Sequence, residues 1–529
     1  MKKRSPRAAR LTLTCALAAL LLAPAAGADI NVGVADDHAK QSPEAAGRLY
    51  DAMKDVGLTE NRITILWDSS HPTVIRDRDG IAHAIEVAAA DGVHVTLALY
   101  PERASAITER SSAPGDFAAW AAHVARTFPA VKDFIIGNEP NKSRFWQPQF
   151  GANGKAAACK AYEPLLAASY DALKGVDRNI IVIGVGLGPR GTDNARAKGN
   201  LSISPVRCIR DIGRAYRASK RTRPIMDELS YHPHPALSTD KLETGYPWPN
   251  AGIPNLARVK QAVWDAFNGT GQPTVEEAGM PRVRRTLKLR LNEVGWQVAI
   301  PPGSRGAYFG KESVVTTDEG TQAAIYGNLI PLLACDPAVK SVLFFNLVDE
   351  ANLDRWQSGL MRADWTRRPS YPIVKGSIQA GQTRCGRPVA WRHAVKPVRV
   401  TMGFLGGSRA RSERNKAWSF VAGSEEGTLY TAGLFRVRRP GRVAPSLRAS
   451  IRRSLLTSRI RGAALKSRGR LTGGWDKVIA FPSRRLRPGF YVYAARVWAE
   501  MNPARRANYV GVPFAVGTPK AGKKTLSSR

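Results

Sequence analysis

Beyond residue 28 the chain has no apolar run approaching the roughly 20 residues that a membrane-spanning helix needs, so the mature chain is not expected to be transmembrane. It has only 5 cysteines, with no C-x-x-C spacing and no His pair beside a Cys, which excludes the common zinc sites. The first strand-like run, Ile30 to Val34, is followed by Ala35-Asp-Asp37 rather than a glycine-rich turn, which argues against the nucleotide crevice of an open doubly wound sheet. No nucleic-acid-binding motif accompanies the formal net charge of +36. Acidic residues are scarce at one end: from Gly386 onward there are 31 Lys and Arg against 5 Asp and Glu.

What is present divides the chain. Residues 1–28 open with Lys2, Lys3, Arg4, Arg7 and Arg10, continue with an apolar run from Leu11 to Leu22, and end in Ala25-Ala-Gly-Ala28. A basic start, a short apolar segment and small residues at the end read as a secretory signal peptide. Cys15 leaves with it, and Cys159, Cys208, Cys335 and Cys385 remain for an oxidising, extracellular compartment. Cys159–Cys208 and Cys335–Cys385 are the expected pairs, because neighbours in sequence close the smaller loops. Residues 29–385 are close to charge balance and read as one globular domain. Residues 386–397 read as a linker, 398–516 as a basic second domain, and 517–529 as a disordered tail.

Within 29–385, eight short apolar runs alternate with helical patterns. The stretches are Ile30–Val34, Arg62–Trp67, His94–Tyr100, Asp133–Asn141 with its apolar run Phe134–Ile136, Ile180–Val185, Ile225–Tyr231, Leu289–Trp296 and Ser341–Asn346. Ser42-Pro43 opens the first helix and Gly57 closes it. Asp116 is read as the cap of the helix carrying Phe117, Trp120, Ala121, Val124 and Phe128 at helical spacing. Eight such units predict a (β/α)8 TIM barrel.

Barrel chemistry gathers at the carboxyl ends of the strands. The fourth strand ends in Gly137-Asn-Glu-Pro140 and the seventh carries Glu293. Two carboxylates facing each other at about 5 Å across a barrel mouth suit glycosidic bond cleavage with retention. Glu139 is then the candidate acid/base and Glu293 the candidate nucleophile. Asp227-Glu228 opens the sixth strand and belongs to the other end of the barrel, where residues serve stability. Asp349-Glu350, just past the eighth strand, is a rival pair read as supporting or solvated. Trp296, Trp356 and, third, Trp146 are candidates for stacking on sugar rings. Tyr246-Pro-Trp-Pro-Asn250 is a stiff aromatic loop expected beside the cleft.

Asn138-Glu139-Pro140 resembles the acid/base motif of the clan A glycoside hydrolases, and Glu293-Val-Gly-Trp296 is similar to their nucleophile strand, with Asn292 where Thr is more usual. The family 39 and family 5 branches are the nearest in character, over Ile30 to Tyr371. The resemblance implies that Asn138 binds a sugar 2-hydroxyl and that Arg62 lies near the nucleophile. His232-Pro-His234 is similar to a His-Pro-Tyr segment ending the sixth strand, with His234 in place of the Tyr whose hydroxyl touches the nucleophile. A carbohydrate substrate is implied, and neither a metal nor an organic cofactor. A carbohydrate-binding barrel without turnover is the alternative; it would be expected to have lost one of the two carboxylates, and both are present.

From Val398 the pattern changes to short alternating runs, including Thr428–Val437 and Phe490–Trp498, separated by turn residues. This predicts an antiparallel, sandwich-like all-β domain. The Arg-rich run Ser446–Arg470 is read as strand and loop. A basic exported module would meet an anionic cell-surface polymer before any nucleic acid.

Overall fold

The computed structural model describes residues 28–278 and 285–394 and, further on, residues 402–404, 419–424, 426–438, 441, 443–457, 459–471, 474–481, 486–500 and 502–516. The expected signal peptide up to residue 27, the end of the linker and the tail at 517–529 lie outside the described residues.

Eight parallel strands close on themselves: β1 (Asn31–Ala35), β2 (Glu60–Trp67), β3 (His94–Pro101), β4 (Asp133–Ile136), β5 (Ile181–Leu187), β6 (Glu228–Tyr231), β7 (Lys288–Val294) and β8 (Val339–Phe344). Val32 pairs with Val342, which seals β1 to β8. One helix follows each strand: α1 (Pro43–Val56), α2 (Arg78–Ala90), α3 (Ala113–Thr127), α4 (Ala158–Val176), α5 (Pro205–Ala218), α6 (Leu256–Phe267), α7 (Glu319–Ala334) and α8 (Ser370–Gln379). Phe134, Ile135 and Ile136 are wholly buried, as a strand covered on both faces requires. Ser42 Oγ accepts the Ala45 N–H at 3.1 Å, and Gly57, at φ 89°, turns the chain out of α1.

Three expectations need correction. Helix α3 begins a turn earlier than Asp116, after Ser112, and Ser112 Oγ donates to Asp116 Oδ2 at 3.0 Å. The sixth strand is shorter than Ile225–Tyr231, because the N–H groups of Ile225 and Met226 are taken by the Gln272 side chain. The Arg-rich run contains α9 (Pro445–Ser454), in which Leu447, Ile451 and Leu455 recur at helical spacing and pack onto the neighbouring sheet. Both expected disulfides are formed: Cys159–Cys208 joins α4 to α5, and Cys335–Cys385 ties the end of α7 to the chain after α8.

At the amino ends of the strands, Arg290 of β7 occupies the barrel axis. Its guanidinium donates to Glu228, to Asp133 and, at 2.6 Å, to Glu60 Oε1, one carboxylate from each of β6, β4 and β2. The ladder between β7 and β8 changes register between Leu291 and Val294.

The second domain stacks β9 (Met402–Phe404), β10 (Ser419–Ser424) and β13 (Gly474–Ala480) against a larger sheet. That sheet is ordered β12 (Ala463–Leu471), β11 (Thr428–Val437), β14 (Gly489–Ala499), β15 (Asn502–Val510), with β16 (Phe514–Val516) on β14. Ile479 and Phe481 meet Tyr430, Ala432, Tyr493 and Val497 in its core. Its strand pairs are antiparallel, so the predicted sandwich-like β architecture is the observed one with α9 added to it. Among the described residues no helix is long and apolar enough to cross a membrane.

Candidate active site

The site is assembled at the carboxyl ends of β4, β6 and β7, with Arg62 reaching it from within β2, level with the end of β1. Beyond β4, Gly137 has φ 86°, and a Cβ there would lie 2.8 Å from the Tyr162 ring. Glu139 follows with φ 38°, a left-handed conformation uncommon for a residue with a side chain. Its N–H donates to Gly186 O at 2.7 Å, and its carbonyl accepts the Lys142 N–H at 2.8 Å, so both neighbouring turns hold the backbone in place. Gly188, after β5, leaves room for the carboxylate: a Cβ there would lie 2.7 Å from Glu139 Oε1. Asn141 fixes that glycine, donating to Gly188 O at 3.1 Å and accepting its N–H at 3.0 Å.

Glu293 sits across from Glu139 and is buried. Arg62, from β2, donates to Glu293 Oε1 at 2.6 Å and to Asn138 Oδ1 at 3.0 Å. His234 Nε2 lies 3.5 Å from Glu293 Oε2. Burial acts to raise the carboxyl pKa of Glu293, but the charges of His232 and Arg62 and the contact from His234 outweigh it and hold the group well below its ordinary value. His232 Nδ1 lies 3.4 Å from Glu139 Oε1 and 3.5 Å from Glu293 Oε2, without hydrogen-bond alignment to either. The two oxygens are therefore less than about 7 Å apart, a bound that admits the about 5–5.5 Å of carboxylate pairs that cleave glycosidic bonds with retention and leaves room for only the shortest of the inverting pairs, at about 6.5–9.5 Å.

Several polar atoms here are buried without a hydrogen-bond partner: Arg62 Nε, both ring nitrogens of His232, His234 Nδ1 and both amide atoms of Asn292. A folded interior seldom leaves so many unpaired in one place. Two cavities flank the carboxylates. One, of about 470 Å³, is lined by Asp36, Asp37, Arg62, Asn346 and Glu350 among others. The other, of about 480 Å³, lies on the Glu139 side and is lined by Lys142, Arg144, Phe145 and Asn200.

The expected residues thus separate into two groups. Arg62, Asn138, Glu139, His232, His234 and Glu293 come together. Trp356 joins them, its ring 4.5 Å from that of His234 and edge-on to Phe345. Trp146 and Trp296 do not offer a face to a sugar, since each is 2% exposed. Trp146 folds back to meet Tyr162 edge-on, and Trp296 donates its indole N–H to Asp240 O at 2.8 Å and packs against Tyr326. The aromatic loop divides: the Tyr246 hydroxyl donates to the carbonyl of His234 beside the site, while Trp248 lies over Arg210 and beside Gly427 of the second domain. Asp349 is buried against Arg368 and Tyr308, which leaves Glu350 as the member of that pair that lines a cavity.

Lys142 was not legible as a site residue, and Tyr100, an aromatic near a strand end, was legible only as a ring that could stack on a sugar. The Tyr100 hydroxyl, pushed up to about 12 chiefly by burial, lies in the field of Arg62 and Glu293. Lys142 is buried beside Glu139, and burial lowers its ammonium pKa. The spacing Asn138-Glu-Pro-Asn-Lys142 was the one available signal, and it reads equally as a solvated loop.

No protein-family model matches the chain, and no curated protein does. Solved structures to which the chain is similar include a family 39 glycoside hydrolase from the gut symbiont Bacteroides cellulosilyticus WH2, at 17% identity and TM-score 0.46, covering 78% of this chain and 73% of that one. A GH39 enzyme from Xanthomonas axonopodis pv. citri is 14% identical with a TM-score of 0.44, covering 87% of this chain and 93% of that one. A glucosidase from Croceicoccus marinus is 12% identical with a TM-score of 0.47, covering 86% of this chain and 94% of that one.

Proposed function

We propose that the chain is an exported glycoside hydrolase that cleaves O-glycosidic bonds with retention. Glu293 is its nucleophile and Glu139 its acid/base. The observation that carries this reading is the contrast between the two carboxylates. Glu293 is buried, bonded to Arg62 and held ionised, as an attacking group must be. Glu139 is partly open to a cavity that can receive a leaving group.

In the first step Glu293 forms a bond to the anomeric carbon as the bond to the leaving oxygen breaks, and Glu139 gives its proton to that oxygen. In the second, Glu139 takes a proton from water, the water oxygen attacks the same carbon, and Glu293 departs as a carboxylate. Arg62 keeps the nucleophile charged and orients Asn138, whose amide nitrogen is left to donate; the resemblance implies the sugar 2-hydroxyl as its acceptor. His232 and His234 add positive potential beside Glu293 as its charge is restored. Trp356 offers an aromatic edge to the sugar. Two disulfides and the leader-like first residues support export, and the basic second domain supports an anionic cell-surface polymer as partner.

The test is turnover on a panel of aryl glycosides by the parent, Glu139→Ala and Glu293→Ala, with NMR of the first-formed anomer. Substrates with activated leaving groups should keep measurable glycosylation in Glu139→Ala and lose it in Glu293→Ala, and the first product should retain configuration. Equal activity in all three proteins, or an inverted anomer, overturns the assignment.

A further inference from the structure

The larger sheet of the second domain has one face on the domain core and the other only half covered. On the outer face α9 packs over Phe435, Val437, Val492 and Ala494. Strand alternation places Leu429, Thr431, Arg496 and Trp498 on that same face, beyond the end of the helix. The register then aligns two rows across four neighbouring strands. Arg470, Leu429, Trp498 and Arg506 form one row, and Arg468, Thr431, Arg496 and Asn508 the other. Together with Leu455 and Leu456 most of these line a depression of about 690 Å³.

The composition of the depression limits what it can hold. A half-buried indole lies at its centre with arginines on both sides, and Arg470 meets Glu500 at 2.9 Å. Arg470 and Arg506 stand three strand spacings apart, about 14 Å between strand axes, a span that consecutive sugars of a chain can cover. Burial and the charge of Arg506 both act against the charge on Arg496, so the face holds unfavourably close cations that a bound anion would relieve. Among its Leu and Trp residues only Leu456 is strongly exposed, too little apolar projection for insertion into lipid.

We infer that this face is a binding site for an acidic polysaccharide, one sugar ring stacking on Trp498 while carboxylates of neighbouring units pair with Arg470, Arg496 and Arg506. The site is separate from the barrel carboxylates, and its test needs no turnover. Binding of the full chain to polygalacturonate is measured by affinity electrophoresis, with neutral dextran, a single-stranded oligonucleotide and phosphatidylglycerol vesicles as comparisons. The parent should bind polygalacturonate and not dextran. Trp498→Ala, which leaves the charge untouched, should weaken binding about tenfold, Trp498→Tyr should restore most of it, and Arg506→Gln should weaken it with a shallower salt dependence. Thermal unfolding of each variant identifies those that fold, and Arg506→Gln, at an exposed position, keeps the test open should Trp498→Ala not fold. Binding unchanged by Trp498→Ala in the folded variant, or tighter binding to the oligonucleotide or the vesicles than to polygalacturonate, overturns the inference.

Discussion

The two ends of the barrel use the same ingredients in opposite ways. At the amino end a buried arginine, Arg290, is surrounded by three carboxylates, and its donors are taken up by them. At the carboxyl end a buried carboxylate, Glu293, is surrounded by an arginine and two histidines, several of whose polar atoms have no partner. At the amino end only Glu60 Oε2 of the four partners is left open, and so nearly complete a network resists change and serves the fold; one with many open atoms is costly to bury and is kept where a reacting molecule can complete it. Charge alone would not distinguish the ends. Hydrogen-bond completion does.

The comparison can be broken at either pole. The largest effect is expected from Glu293→Gln, which should lower turnover by about 10⁴-fold or more and shift the unfolding midpoint comparatively little; an equal loss of stability and activity would erase the distinction. Arg290→Met should do the reverse. Removing the cation strands three carboxylates and should cost about 3–5 kcal/mol in denaturant unfolding, while the folded fraction keeps its kcat.

Acid provides a third test. Burial acts to raise the carboxyl pKa of Asp133, but His94 and Arg290 outweigh it and bring the group from 3.8 to about 2. A depressed folded pKa means that stability is present above about pH 4 and is lost as the pH falls toward 2. The loss should reach about 2 kcal/mol, and acid unfolding followed by fluorescence should show this step in the parent and a smaller one in Arg290→Met, where His94 still pairs with Asp133. The smallest effect separates two tryptophans at the upper end. Trp356→Ala should raise KM about tenfold with folding intact. Trp146→Phe should leave KM alone and lower the melting temperature by a few degrees.

Much of the barrel was legible because its strands are buried on both faces and so appear as unbroken apolar runs. The acids were legible for a related reason: Gly137 and Pro140 interrupt such a run and frame Glu139. The tryptophans were not, since an aromatic after a strand reads the same whether it turns outward, as Trp356 does beside His234, or inward, as Trp146 does against Tyr162. Helix α9 was hidden by its arginines, although Leu447, Ile451 and Leu455 recur every fourth residue; the number of charges obscured the period. The Lys142 ammonium near Glu139 depends on how two loops meet, and no local pattern encodes that.

Strand β7 carries the central residue of both poles, Arg290 and Glu293, three positions apart. In a regular strand an odd separation sends two side chains to opposite sides, one toward the axis and the other into the helical layer. The register change between Leu291 and Val294 resolves this conflict by resetting the phase of the strand between the poles. Restoring ideal pleating there with every residue kept would improve the ladder locally and turn Glu293 away from Arg62, whereas deleting one of the intervening residues would regularise the ladder and leave the two side chains on one side. The irregularity thus acts as a half-turn screw in the backbone, and the site exists only because that strand is not straight.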